Sequence, residues 1–175
     1  MRPAFFLDRD GVLCEEAGYL VSAGQLHIFE YARDCIQKMH RAGYLAVCVT
    51  NQAAVSKGLL EEKELLRMND FLKAQTGLDA LYYCPHHPQG FGKYRMYCTC
   101  RKPETGMILK AKQDFGIDME HSFMIGDRAT DILCGQKVGL KTALLESGYG
   151  TKRLEQKVTA DYIFDDLKKA VEQLL

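Results

Sequence analysis

Short, largely apolar runs recur along the chain at 4–7, 44–49, 122–125 and 142–145. They are continuous rather than alternating, the pattern of strands buried on both faces of a parallel sheet. Between them the apolar residues fall at helical spacing. Over 31–42, Cys35, Ile36 and Met39 share one stripe, and Gly43 offers a C-cap. Over 61–75 the stripe is Leu65, Met68, Phe71 and Leu72, closed by Gly77. The segments 105–115 and 129–138 repeat the pattern and stop at Gly116 and Gly139, while 80–84 reads as a further short strand. A last strand and helix are expected at 161–164 and 167–174. Strand and helix in alternation predict an α/β fold: a Rossmann-like parallel sheet flanked by helices on both faces. One domain over 1–175 is expected. Only 85–103 lacks a period, and a loop that long inside a compact domain is functional or pinned by something.

Composition narrows the partners. The 175 residues suffice for one core, and 23 basic residues offset 23 acidic ones, so no global field draws the chain to nucleic acid or an anionic membrane. No apolar run approaches the roughly 18 residues of a membrane span, and the start MRPAFFLDRDG lacks a signal-peptide apolar region. Of seven cysteines, Cys14, Cys35, Cys48 and Cys134 lie in core-like segments, where a free thiol acts as a small hydrophobe. Cys84, Cys98 and Cys100 crowd into the polar loop. That division favours a reducing cytoplasm and a metal site over a disulfide framework. A cytoplasmic monomer is expected.

The candidate chemistry lies at the strand ends. The first run stops at Asp8-Arg9-Asp10, the second at Thr50-Asn51-Gln52, and the third at Gly126-Asp127, with Asp131 one helical turn later. Ligands of open parallel sheets bind beyond the carboxyl ends of the strands. Carboxylates gathered there raise one another's pKa unless a cation neutralises them, and carboxylates with water and phosphate are the usual setting of Mg²⁺. Alone, an Asp-x-Asp-Gly is more often a solvated turn; the three strand ends together are what point to a site. In the loop, Cys84-Pro-His86 and Cys98-Thr-Cys100 offer three thiolates and one imidazole, enough for a closed tetrahedral zinc site. The plain alternative is reduced cysteines in a mobile loop.

FFLDRDGVL, VCVTNQ, CRKP and MIGDRATD, spread over about 4–147, resemble in order the four motifs of the haloacid dehalogenase superfamily of phosphatases. CPHHPQG with CTCRKP is similar to the branch that holds heptose-bisphosphate and histidinol-phosphate phosphatases. The resemblance implies that Asp8 is the nucleophile, forming an aspartyl phosphate, and that Asp10 first protonates the leaving oxygen and then activates water. It implies that Thr50 and Asn51 bond the phosphoryl oxygens and that Lys102 neutralises charge. Asp8, Asp127 and the main-chain carbonyl of Asp10 would hold Mg²⁺, with Asp131 supporting them from behind. Cys84, His86, Cys98 and Cys100 would hold a structural Zn²⁺ that fixes Arg101 and Lys102, with His87 outside the ligand set. The long HPQGFGKYRMY segment matches the heptose members, so a sugar bisphosphate is the expected substrate and histidinol phosphate the alternative. Arg101, Lys93 and Arg95 are candidates for the phosphate that is not cleaved. Gly18 and Tyr19 fall in the short substrate-side loop, which implies a minimal cap.

Two departures bear on the substrate. Val12 stands where threonine is usual, and Ala53-Ala54 replaces a Ser-Gly pair, with an expected loss of backbone freedom. The segment from Gly148 onward carries no motif and is expected to be packing. Two non-enzymatic readings compete: a receiver-like phospho-acceptor, which would keep its acyl phosphate, and a zinc-dependent interaction module.

Overall fold

Six parallel strands build one sheet in this computed structural model, which describes residues 1–154 and 156–175. They are β1 (Arg2–Leu7), β2 (Leu45–Asn51), β3 (Ala80–Cys84), β4 (Ile117–Gly126), β5 (Lys141–Leu145) and β6 (Tyr162–Phe164). The helices are α1 (Ala32–Arg41), the short α2 (Ala53–Ser56), α3 (Glu62–Thr76), α4 (Gly106–Phe115), α5 (Ala129–Lys137) and α6 (Leu167–Leu174). Both faces of the central strands are covered, which is why their sequences run apolar without alternation. Phe5, Leu7, Ala46 and Cys48 pack towards α1, α3 and α6. Ala4, Phe6, Leu45, Val47 and Val49 pack towards α4 and the end of α5. Phe5 is fully buried, its ring stacked on Phe123 at 5.0 Å.

The spatial order is β3-β2-β1-β4-β5-β6. The chain leaves β1 in one direction and returns to its other side at β4, so the strand order reverses between β1 and β4. A crevice at the carboxyl ends follows from that reversal. Leu7 pairs with Cys48 on β2 and with Ile125 on β4. The residues just beyond, Asp8, Thr50 and Asp127, therefore emerge close together at one edge of the sheet. The segment 11–31 between β1 and α1 holds only a 3-10 turn (Ala23–Gln25), a small rim rather than a cap domain.

Three details differ from the expected pattern. β4 begins at Ile117 rather than at 122, because its pairing with β1 jumps from Pro3–Asp118 to Phe5–Phe123. Ser122 Oγ bridges the irregularity, accepting from Ala4 N at 2.9 Å and donating to Asp118 O. The residues looped there are polar and hid the strand. On α3, Phe71 is 51% exposed, and the buried stripe is Leu65, Met68, Asn69, Leu72 and Thr76. Ala53 and Ala54 open a helical turn, and no non-glycine residue among those described has positive φ. Alanine suits that turn better than glycine would, so the expected backbone penalty is absent. Val12 is fully buried in the core. No helix among the described residues is long and apolar enough to cross a membrane.

Candidate active site

Asp8 follows β1, Asp127 follows β4, and Asp131 sits in the first turn of α5. One carboxylate oxygen from each lies within 4.8 Å of the others, and all three residues are buried. Lys102 enters from the loop before α4. Its Nζ stands 2.9 Å from Asp8 Oδ1 and 2.6 Å from Asp131 Oδ1, and it donates to Val49 O at 2.7 Å. An ammonium has three protons, and all three have acceptors. Asn51 holds this lysine in place: its Nδ2 donates to Lys102 O at 3.0 Å, and Lys102 N donates to its Oδ1 at 2.9 Å. Asn51 lines the cleft, but both ends of its amide are engaged on that main chain. These bonds position Lys102, and the second Nδ2 proton is left over for a ligand in the cleft.

With all three carboxylates ionised against one ammonium, the buried cluster would carry two negative charges in excess. Burial, with Asp8 and Asp131 adding repulsion, pushes Asp127 up to about 8. Burial likewise raises Asp131 to about 6, although Lys102 pulls it back. Burial alone would lower Lys102, but Asp131 and Asp8 outweigh it and hold the ammonium above its ordinary value. Such a cluster fits a hard divalent cation with oxygen ligands. Asp127 offers the clearest sign: its Oδ2 accepts from Tyr149 N at 2.7 Å, while its buried Oδ1 has no partner among the described residues. The backbone is drawn tightly around this carboxylate. A Cβ on Gly11, whose φ is +81°, would come within 2.5 Å of Asp127 Oδ2, and one on Gly148 within 2.1 Å. Among the described residues Asp10 contributes no carboxylate oxygen to the cluster; the ligand expected of it is its main-chain carbonyl. Asp131 joins the cluster directly, although its Oδ2 accepts from Arg128 N at 3.0 Å.

Asp10 lines the cleft beside Asp8. Its carboxylate accepts from Arg9 Nη2 at 3.0 Å and from Gln52 Nε2 at 2.8 Å. Gln52 Nε2 also donates to Thr50 Oγ1 at 2.9 Å. Thr50 is 1% exposed and lies beneath the cleft rather than among the residues that line it.

The cleft encloses about 260 Å³, and its rim includes Glu16, Gly18, Tyr19, Ala53, Ala54, Arg101, Arg128 and Tyr149. Of the three basic candidates only Arg101 lines it; Lys93 lies instead over the Tyr94 ring at 4.8 Å, and Arg95 is exposed on the loop. Arg101 donates to His86 O at 3.3 Å, tying it to the cysteine loop. The Tyr19 hydroxyl meets Lys57 Nζ. Sequence reasoning missed Arg9, Gln52, Glu16, Arg128 and Tyr149. Arg128 pairs with Glu16 at 3.1 Å and stacks on the Tyr149 ring at 3.7 Å, joining three loops around the cleft. The signal for Tyr149 was its place just beyond β5, at the same edge of the sheet. Its segment is part of the site, not packing alone.

All seven cysteines are free thiols. Cys84, at the end of β3, meets His86, Cys98 and Cys100 in one cluster. The sulfurs stand 3.0 Å (Cys84–Cys100), 3.3 Å (Cys98–Cys100) and 3.5 Å (Cys84–Cys98) apart. His86 Nδ1 is 3.4 Å from Cys100 Sγ and 3.8 Å from Cys84 Sγ. Thiolates around one tetrahedral zinc stand about 3.7 Å apart, so the cluster is compatible with that ion in slightly contracted form. Hydrogen bonding with Cys84, then with His86 and Cys98, pulls the Cys100 thiol down to about 5; the same sharing raises Cys84. His87 stands outside the cluster, its Nδ1 accepting from Gln89 N at 3.0 Å.

Comparison with known proteins gives this arrangement a family. The HAD-hydrolase-like family model matches residues 99–170. The chain is 37% identical to the D-glycero-beta-D-manno-heptose-1,7-bisphosphate 7-phosphatase of Pasteurella multocida, over 99% of each chain. The chain belongs to the haloacid dehalogenase-like phosphatases. Within them it is also 33% identical, over 99% of each chain, to the enzyme of the same name from Haemophilus influenzae. Among solved structures it is similar to the D,D-heptose 1,7-bisphosphate phosphatase of B. bronchiseptica, complexed with magnesium and phosphate, at a TM-score of 0.85. Identity there is 28%, with 98% of this chain and 97% of that one covered. Membership in an enzyme family displaces the receiver-like and interaction-module readings.

Proposed function

We propose that the chain removes the 7-phosphate of D-glycero-D-manno-heptose 1,7-bisphosphate in a Mg²⁺-dependent reaction through an aspartyl phosphate. The observation that carries the chemistry is the convergence of Asp8, Asp127, Asp131 and Lys102 at the point where the strand order reverses. The substrate comes from the full-length relatives. Asp8 attacks phosphorus as the bond to the sugar oxygen breaks. Asp10 gives that oxygen its proton and afterwards takes one from the attacking water. Lys102 draws charge from the phosphoryl group and holds Asp8 in line, while Thr50 and Asn51 bond the phosphoryl oxygens. Asp8, Asp127 and the Asp10 carbonyl would hold Mg²⁺, which would supply the remaining neutralisation of those oxygens. Arg101, with Gly18 and Tyr19 on the rim, faces the rest of the sugar. Cys84, His86, Cys98 and Cys100 hold a structural Zn²⁺, with no open position for chemistry.

The same reading takes 1–175 as one domain, supported by two core clusters packed on the two faces of one sheet. It takes the protein as a cytoplasmic monomer acting on a small phosphorylated metabolite, without nucleic acid or membrane; the balanced charge supports the last two points. Phosphate release from heptose 1,7-bisphosphate and from histidinol phosphate, measured side by side with Mg²⁺, tests the substrate. The expected result is at least a tenfold higher kcat/KM for the heptose, with the 1-phosphate left on the product. Preference for histidinol phosphate would overturn the substrate but not the chemistry.

A further inference from the structure

Arg9, between the two aspartates of the first motif, is 1% exposed and is the bulkiest fully buried side chain among the described residues. Enclosing a guanidinium is costly unless its protons and charge are matched. Here the charge and four of the five protons are matched, around Asp10, Gln52 and Asn69. Arg9 Nε lies 3.1 Å from each oxygen of Asp10, and Nη2 lies 3.0 Å from Oδ1. Nη2 also donates to Gln52 Oε1 at 2.9 Å, and Nη1 to Asn69 Oδ1 at 3.3 Å. Gln52 Nε2 then donates to Asp10 Oδ2 at 2.8 Å. Neighbours in a strand point to opposite faces. These two meet because the chain turns after β1, with the Arg9 carbonyl accepting from Leu13 N at 2.9 Å and Cys14 N at 3.1 Å. Asn69 is the polar break in the buried stripe of α3, placed where it anchors the guanidinium. Asp10 is thus gripped from its buried side by Arg9 and Gln52, and its accessible side lines the cleft.

We infer that Arg9, with Gln52 as its partner, is a positioning residue for proton transfer by Asp10. This rests on the reading of Asp10 as the acid. As the bond from phosphorus to Asp8 forms and the bond to the sugar oxygen breaks, the proton passes from Asp10 to that oxygen and the alcohol departs. The carboxylate left behind faces the guanidinium, which fixes its direction and balances its new charge.

The test compares a leaving group that needs a proton with one that does not. kcat/KM for heptose 1,7-bisphosphate and for p-nitrophenyl phosphate ends at departure of the alcohol, so later activation of water does not enter. General acid catalysis is worth about 10²–10⁴-fold. Asp10→Asn should therefore lose at least about tenfold more on the heptose than on the nitrophenyl ester. Arg9→Lys, which keeps a charge but not the fork, should show a gap in the same direction. If Arg9→Lys fails to fold, Gln52→Leu, which leaves the guanidinium in place, should show that gap. Selective loss in Asp10→Asn with equal losses in the Arg9 or Gln52 variant would overturn the inference, leaving only a structural role. Equal losses in Asp10→Asn would overturn the reading beneath it.

Discussion

Asp127 is where burial and charge oppose each other most directly. With its pKa pushed up to about 8, against an ordinary value of about 3.9, the metal-free folded protein binds more protons here than the unfolded chain. The stability this gives is complete below about pH 4 and is lost as pH rises through 8. A bound divalent ion removes the repulsion and should reverse the trend. Melting curves at pH 5, 6.5 and 8 should show the metal-free protein losing a few degrees relative to Asp127→Asn as pH rises. Stabilisation by Mg²⁺ should grow over the same range and be absent in the variant. A Mg²⁺ effect that is equal at pH 5 and 8 would contradict this account of the cluster. The aspartates were legible in the sequence because strand ends displayed them. Arg9, Gln52, Arg128 and Tyr149 were not, because their meaning depends on which way a turn aims a side chain.

At the level of elements, the loop 85–103 carries Lys102 into the site, and the cluster of Cys84, His86, Cys98 and Cys100 draws the two ends of that loop together. A structural zinc contributes folding energy directly. Metal analysis of the purified chain should find about one equivalent of zinc. Cys98→Ser with Cys100→Ser should remove it, lower the melting temperature, and reduce kcat by at least about tenfold as Lys102 loses its anchor. Full activity in a zinc-free double variant would separate the loop from catalysis. The pairing of Cys-x-His with Cys-x-Cys, together with the family resemblance, made the gathering of these four side chains readable. Elsewhere the readable elements were those with an apolar signature. Buried runs gave the inner strands, and Gly77 and Gly116 marked true helix ends, both in left-handed conformation. The first half of β4 was invisible because its exposed residues are polar. The inward face of α3 was misjudged because Asn69 and Thr76, not Phe71, turn inward.

The whole molecule is electrically neutral, yet it concentrates three buried carboxylates around one ammonium where β1 and β4 part. Sheet order produces this: outward to β3, back to β4, with each inner strand delivering one polar residue to the same edge. A global balance of charge and a local excess are compatible because the cluster is buried and faces a single cleft. The claim on which the rest depends is that Asp8, at that point, is the nucleophile. Phosphate release from heptose 1,7-bisphosphate by the Asp8→Asn variant tests it most directly, with a melting curve to show the fold intact. The account predicts a fall of at least about 10³-fold with the melting temperature maintained; release within tenfold of the unaltered chain would contradict it.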